Sequence, residues 1–443
     1  LLSIYQHCKF ISENFSKYSS ANNHLIGEAA GLFIASIVWP FEEQSKRWQN
    51  KSYKILIDAI ENQTYEDGVN KEQAISYQLF VLDFFLLAGV LGERNGIIFP
   101  ESYWERIEQM IVFIASIMNK NGNVPNIGDS DDGYAVILPD EEDFNPYQSL
   151  LATGAVLFKR GDFKNKAGRF DEKSLWLMDL DGYEKFNDLD EKKFTPVKSF
   201  KKGGYYVLSA NENTEDEIMS VFDCGPLGFL SLAAHGHSDT LSFTLSVGGK
   251  EIIIDPGTYA YHTNNDWREY FKGTSAHNTI RIDGENQSVS GGNFMWLKKA
   301  NSRLIKYESN EDFDLVVGEH DGYKRLRDSV LHQREIMLDK KSMTLSIVDR
   351  ITANKKHTIE QFFHFSRDCI VKELNERKWE IKNDDKTILL TVDEKLMPKL
   401  YCGSLNPIFG WQSKCFDVKE NTFTLVNSGE FVGNYMFETL IVI

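Results

Sequence analysis

With 443 residues, 42% of them apolar and 13% aromatic, the chain holds more core-forming material than one ordinary domain uses, which excludes a disordered segment. A net charge of −16 excludes general nucleic-acid binding, which relies on basic surface to displace counterions from phosphates, but leaves room for a local basic cleft that attracts an anionic sugar. Five cysteines without a Cys-x-x-Cys pair fit neither a disulfide framework nor a thiolate zinc site, and no apolar run approaches the roughly 20 residues needed to span a bilayer.

The chain opens Leu1-Leu2-Ser3 without a methionine, which reads as a mature or trimmed product. The expected location is periplasmic or secreted if a signal peptide has been removed, and cytoplasmic otherwise.

Residues 1 to about 160 read as helices separated by short polar breaks. Leu25, Ile26, Ala29, Leu32, Phe33 and Ile37 recur at helical spacing, as do Ile75, Leu79, Leu82 and Leu86. Further helices are predicted near 4–18, 42–62, 102–119 and 146–158, with turn-rich connectors such as Asp129-Ser130-Asp131-Asp132-Gly133 between them. Paired helices of this kind stack as a solenoid or close as a ring.

From about Leu175 the period changes. Leu241, Phe243, Leu245 and Val247 alternate with Thr240, Ser242, Thr244 and Ser246, the pattern of a half-buried antiparallel strand. Gly248-Gly249 then turns the chain into Glu251–Asp255 as a hairpin. Strand-like runs continue at 302–306, 313–318, 330–338, 342–349, 357–366, 387–392, 422–426 and 435–443, a succession that predicts an antiparallel β-sandwich. The boundary falls in the charged stretch Asn187–Lys202, with 160–186 as a mixed connector, so the expected domains are 1–190, α-helical, and 191–443, β-sandwich.

Chemistry concentrates between Leu232 and Thr279, which contains His235-Gly236-His237-Ser238-Asp239, Asp255-Pro256-Gly257-Thr258-Tyr259 and Ser275-Ala276-His277-Asn278-Thr279. The hairpin brings Asp255 back toward His237, so His237, Asp255 and His277 form either a mixed zinc ligand set or a group of hydrogen-bonded loop residues. Ser19–His24 precedes a periodic helix and supplies its N-cap. Asn23 and His24 then stand at a helix start, where free N–H groups and the dipole welcome an anion. Tyr77, inside an apolar helix, reads on its own as a core residue.

Together these segments resemble the heparinase II/III family of polysaccharide lyases. The likeness lies in Asn22–Gly31, in Glu72-Gln73 followed by Tyr77, in Ile127-Gly128-Asp129-Ser130-Asp131-Asp132-Gly133, and above all in the blocks of 235–279. The resemblance implies an N-terminal (α/α) toroid followed by an antiparallel β-sandwich domain, with the active site in the cleft between them. About six helices precede the boundary, so the toroid is expected to be incomplete, with its opening hairpins missing.

The implied activity is β-elimination on a uronate-containing anionic polysaccharide that is heparan-like, alginate-like or a bacterial exopolysaccharide. Asn23 and His24 would neutralise the uronate carboxylate, Tyr77 and His235 would be catalytic, and His237, Asp255 and His277 would hold a divalent metal, zinc, in a structural role. Tyr259 and Arg268 are expected to bind substrate. Assigning His235 and His237 to different jobs requires the loop to leave regular strand geometry at Gly236. The competing readings are a glycan-binding protein that keeps the fold without turnover and a metal-dependent glycan hydrolase.

Overall fold

The computed structural model describes residues 1–443, and its first part consists of eight helices: α1 (Leu2–Glu13), α2 (Asn23–Val38), α3 (Glu42–Gln63), α4 (Ile75–Arg94), α5 (Glu101–Ile117), α6 (Pro146–Phe158), α7 (Gly161–Ala167) and α8 (Glu172–Asp188). Local chemistry sets several of their starts. Asn22 caps α2, Asn145 caps α6 with Pro146 at its first position, and Asp171 caps α8, each side chain accepting an otherwise orphaned backbone N–H. The helices pack as the hairpins of an (α/α) toroid.

At their centre, α4 buries Leu79, Val81, Leu82, Phe85 and Leu86. Contrary to the sequence expectation, α4 is long and apolar enough on length and composition to cross a membrane, yet most of it is buried inside the helical layer. Asp83 on α4 pairs with Lys173 on α8 at 2.5 Å, both side chains fully enclosed. The expected mixed connector over 160–186 is in fact α7 and α8, and the extended link runs from the end of α8 to the first strand at Ser199.

Five antiparallel strands follow as a meander: β1 (Ser199–Phe200), β2 (Tyr205–Ala210), β3 (Ile218–Asp223), β4 (Phe243–Val247) and β5 (Lys250–Ile253). Every residue of β2 and β3 is buried. Alternate side chains go to different cores: Tyr205, Val207, Met219 and Val221 join the helical core, while Tyr206, Leu208, Ile218 and Phe222 join the sandwich core. This sheet is the mortar between the two halves, a result of period-two geometry with apolar residues on both faces.

The predicted half-buried strand over 240–247 begins only at Phe243, because Leu241 has a φ of +63°. Its Ser/Thr face is largely enclosed as well, with Thr240, Ser242 and Ser246 buried and Thr244 half-buried, and the Ser242 hydroxyl accepts the Asn278 N–H at 3.0 Å. Both turn glycines of the β4–β5 hairpin, Gly248 and Gly249, have positive φ.

The rest of the chain forms an antiparallel sandwich. One sheet has eight strands, with Thr344–Thr352 between Leu331–Asp339 and Tyr435–Val442; the other has four, with Lys356–His364 between Phe423–Val432 and Ile280–Ile282. Strand Leu331–Asp339 alternates strictly between buried and half-buried positions, and its inward face carries His332 and Arg334 as well as Ile336 and Leu338.

Candidate active site

Asp129 is the hub where helical and sandwich residues meet. Its carboxylate is fully enclosed, on the connector between α5 and α6, and the neighbouring Gly128 holds a positive φ with backbone and Ala74 crowding the space that a β-carbon would need. Asp129 Oδ2 accepts from His235 Nδ1 at 3.2 Å and from Arg268 Nη2 at 2.8 Å. Its Oδ1 accepts from His237 Nε2 at 2.9 Å and from Arg268 Nη1. The backbone also joins in, because the Asp129 N–H donates to the His235 carbonyl at 2.9 Å. Burial opposes the charged form of Asp129, but Arg268 and the two histidines outweigh it and hold the carboxyl well below the usual carboxylate range.

Arg268 projects from α9 (Asn265–Phe271) and is fully buried. Its remaining donors go to the Asn293 carbonyl, from Nε at 3.0 Å and Nη2 at 2.7 Å. The expected substrate-binding role is therefore corrected: a guanidinium spent on Asp129 and Asn293 offers nothing to a sugar and serves instead as the counterion of the hub.

On the outer side of the hub the Tyr77 and His235 rings stack, with centroids 3.8 Å apart and planes 21° from parallel. The Tyr77 hydroxyl lies 3.2 Å from Asp131 Oδ2 and 3.3 Å from the Tyr261 hydroxyl. Burial first, then the Asp131 carboxylate, push the Tyr77 phenol above its ordinary value, so it holds its proton at neutral pH. Tyr261 and Phe294 cover the pair, Phe294 edge-on to His235 at 5.7 Å. His235 gives its Nδ1–H to Asp129, and its Nε2 lies 3.7 Å from Glu72 Oε2.

Glu72 links this pair to the start of α2. Its carboxylate accepts the Asn23 backbone N–H at 3.1 Å and the Asn23 Nδ2 at 2.9 Å, placing Asn23 beside His235. Burial raises the Glu72 pKa. His24 donates its backbone N–H to the capping Asn22, and its side chain is exposed at the mouth of the same helix start.

Behind the hub, His237, Asp255 and His277 each bring a ligand atom within 4.8 Å of the others, and all three are buried. His277 Nδ1 donates to Asp255 Oδ2 at 2.9 Å. That bond leaves His277 Nε2, and the bond to Asp129 leaves His237 Nδ1, as buried nitrogens without any partner. Two partnerless imidazole nitrogens beside a carboxylate make a donor set that fits a divalent metal, and polar atoms are rarely buried unpaired without such a reason. His235 is outside this set, so the two neighbouring histidines do part company.

The reason lies at Gly236, but it is not the conformational freedom expected from the sequence. A β-carbon there would stand 1.5 Å from the Leu227 carbonyl, so glycine is needed for close approach of two backbones.

Tyr259 is also placed differently from expectation. Its ring packs with Trp267 and Phe271, under the Lys419 ammonium at 3.9 Å, in a small aromatic cluster of its own. Tyr261, two residues on, is the one that touches Tyr77. The hub Asp129, the linking Glu72 and the covering Tyr261 and Phe294 are the site residues whose roles sequence reasoning missed.

Residues 1–147 match the sequence model of the heparinase II/III N-terminus, and residues 193–430 match that of the heparinase II/III-like C-terminal domain. The chain belongs to the heparinase II/III family. Among relatives of this family member, a heparin-sulfate lyase of Bacteroides thetaiotaomicron is 28% identical over 359 residues, which is 78% of this chain and 46% of that protein. A heparin-sulfate lyase of Bacteroides stercoris is 25% identical over 394 residues, covering 87% of this chain and 50% of its own.

The chain thus spans about half the length of the curated relatives it matches. A crystal structure of heparinase III superposes with a TM-score of 0.79 at 20% identity, over 100% of this chain and 64% of that one. The heparan sulfate lyase of Pedobacter heparinus superposes with a TM-score of 0.74 at 19% identity, over 99% and 62%. At those identities the likeness speaks for the fold: a helical toroid followed by a β-sandwich.

Proposed function

We propose that this heparinase II/III-family chain is a lyase that cleaves a sulfated, uronate-containing polysaccharide of the heparan type by β-elimination. The observation that carries this reading is the Tyr77–His235 stack, with the His235 tautomer set by Asp129. Elimination needs a base for the C5 proton of the uronate and an acid for the departing C4 oxygen. His235, through Nε2 of the neutral imidazole, takes the C5 proton. Tyr77, which holds its own, donates to the C4 oxygen.

Charge that builds on the uronate carboxylate falls to Asn23, whose amide has a second N–H besides the one given to Glu72, and to His24 at the helix start. Tyr261 meets the Tyr77 hydroxyl and Phe294 stands edge-on to His235, so a sugar reaching the pair would displace these rings and lose contact with water as it enters.

His237, Asp255 and His277 would hold a divalent metal, with zinc as the fitting choice for two imidazoles and one carboxylate. When bound, it would cross-link the loop carrying His237 to the β4–β5 hairpin and the 274–279 loop, a structural contribution. The complete burial of all three residues behind the hub favours this over activation of a water at the sugar.

The test is incubation with heparan-type, alginate-type and other uronate polymers, following the ultraviolet absorbance of unsaturated uronate ends. Heparan-type polymer is expected to respond, and Tyr77→Phe is expected to lower kcat by about 10²–10⁴-fold with the fold intact. Saturated products carrying a solvent oxygen would instead establish a hydrolase.

A further inference from the structure

A groove of about 340 Å³ lies on the sandwich side of the loop that leads to His235. Its walls are the β1–β2 turn with Lys201, Lys202 and Gly204, the segment Lys299–Ser302, and Leu227 with Gly228. Three lysines line it, and none of them pairs with a carboxylate, whereas the nearby Lys198 is tied to Glu212 and Asp314.

Lys201 and Lys202 are exposed. Lys299 is half-buried, bonds the Leu230 carbonyl at 2.6 Å, and is held below the ordinary lysine value by burial. The acid at this turn, Asp67, is committed to the backbone N–H groups of Lys202 and Gly203, at 2.7 and 3.0 Å. On a chain of net charge −16, three ammonium groups that enter no ion pair line one concavity and outnumber the Asp67 carboxylate at its turn, which favours an anion there.

The groove adjoins the loop that carries His235 without touching the Tyr77–His235 pair. Leu227, in its wall, presses its carbonyl against Gly236, and Lys299 holds Leu230, so the backbone from Leu227 to Gly236 serves the groove on one side and carries His235 on the other. A linear polyanion with one uronate at His235 has further charged sugars to accommodate. The groove supplies positive charge a few residues along the same loop.

We propose that the Lys201–Lys202–Lys299 groove is a distal anion subsite that takes a sulfate or carboxylate of an anionic glycan and sets the affinity for long chains. This rests on the lyase reading of the Tyr77–His235 site. Lysine suits the task, because a flexible point charge neutralises an anion without demanding one geometry.

The experiment compares the full chain with a Lys201→Ser, Lys202→Ser, Lys299→Gln variant, in which glutamine keeps an N–H for the Leu230 carbonyl; thermal unfolding verifies the fold. Salt elution from an immobilised sulfated polysaccharide and KM for polymer and for the shortest cleavable oligosaccharide are measured. The variant is expected to elute at lower salt, with polymer KM raised about tenfold and kcat and short-substrate KM unchanged. Unchanged elution and unchanged polymer KM overturn the subsite. Inorganic sulfate is expected to compete no better than chloride at equal ionic strength. Selective elution of the parent by low sulfate would mean a site for a free anion and overturn the glycan assignment. Elution needs no turnover, so an inactive parent that still elutes later than the variant keeps the groove and discards the lyase reading.

Discussion

The protein contains two buried aspartates built almost alike, and the contrast between them shows how a site differs from a brace. At the interdomain hub, Asp129 takes Arg268 in a fork and one bond each from His235 and His237. In the sandwich core, Asp349 takes Arg334 in a fork, from Nε at 2.8 Å and Nη2 at 2.9 Å, with His332 Nε2 at 2.7 Å and Gln361 Nε2 at 3.0 Å. Both carboxyls are held well below their usual range by arginine and histidine against the opposing effect of burial.

The difference is in what remains unpaired. Around Asp349 the imidazole nitrogens are all partnered: His332 Nδ1 meets His320 Nε2 at 3.1 Å, and His320 Nδ1 accepts the Gly322 N–H. Around Asp129, His237 Nδ1 is orphaned, its neighbour His277 has an orphaned Nε2, and His235 leans on Tyr77 rather than on a core partner. The same residue types brace the fold where every imidazole nitrogen is satisfied and form a functional centre where some are not.

The largest expected effect comes from breaking each fork. Arg268→Met and Arg334→Met each strand a buried carboxylate, and each is expected to cost about 3–5 kcal/mol in chemical unfolding. They should part in activity. Arg268→Met lets Asp129 release the His235 tautomer, so kcat per folded molecule falls at least about tenfold. Arg334→Met acts farther away: its guanidinium reaches the site loops only through the Leu241 and Asn278 carbonyls, and kcat per folded molecule stays within a few-fold of the parent. Equal losses of kcat would erase the distinction drawn between the two aspartates.

The arginines also show what the sequence could tell. The strand-like run at 330–338 is readable from its residues alone, and the change from helical to strand period locates the two halves. Arg334 stands in that pattern as a polar residue on an apolar face, yet nothing near it in sequence names Asp349 as its partner. Arg268 reads as a substrate ligand because it lies close in sequence to the histidines; its desolvation depends on Asp129, 139 residues away.

Asp129, Asp131 and Asp132 look equivalent in a turn-like run, and only the fold decides that the first is enclosed, the second meets Tyr77 and the third receives the Phe416 N–H. Likewise Tyr259 and Tyr261 are separated by where α9 lies. The polar face of 240–247 looked solvent-facing because alternation reads the same whether its hydroxyls meet water or Asn278.

A smaller effect separates the two centres by metal. If His237, Asp255 and His277 carry a structural ion, chelation removes a ligand that binds only the folded state, worth about 2.7 kcal/mol at a concentration a hundred times Kd. Calorimetry should then show a lower unfolding temperature together with lost activity, and His277→Ala should make the protein indifferent to chelator. The Arg334→Met variant, altered at the centre that has no orphaned ligands, should keep the full response. Unchanged stability after verified metal removal would discard the structural role.

The smallest effect probes the closed centre by pH. His320 is held well below its ordinary value by burial first and then by the charges of His332 and Arg334, and His332 is lowered by burial although Asp349 pulls the other way. Geometry gives the same answer. The proton of His332 Nε2 goes to Asp349 and that of His320 Nε2 to His332 Nδ1, so a second proton on His320 would face the Gly322 N–H. Both imidazoles stay neutral in the fold while the unfolded chain takes up protons below the ordinary value of 6.5. Below that value the unfolded state binds more protons, so their contribution to stability is complete above it and is lost as pH falls, at up to about 1.4 kcal/mol per pH unit for each group. Urea titrations from about pH 7 to about pH 5 should show this decline, and His320→Asn should flatten it by one group's share. Parallel pH curves for parent and variant would mean that His320 takes up its proton as readily inside the sandwich as outside it, and the closed centre would then lack the rigidity that sets it apart from the Asp129 hub.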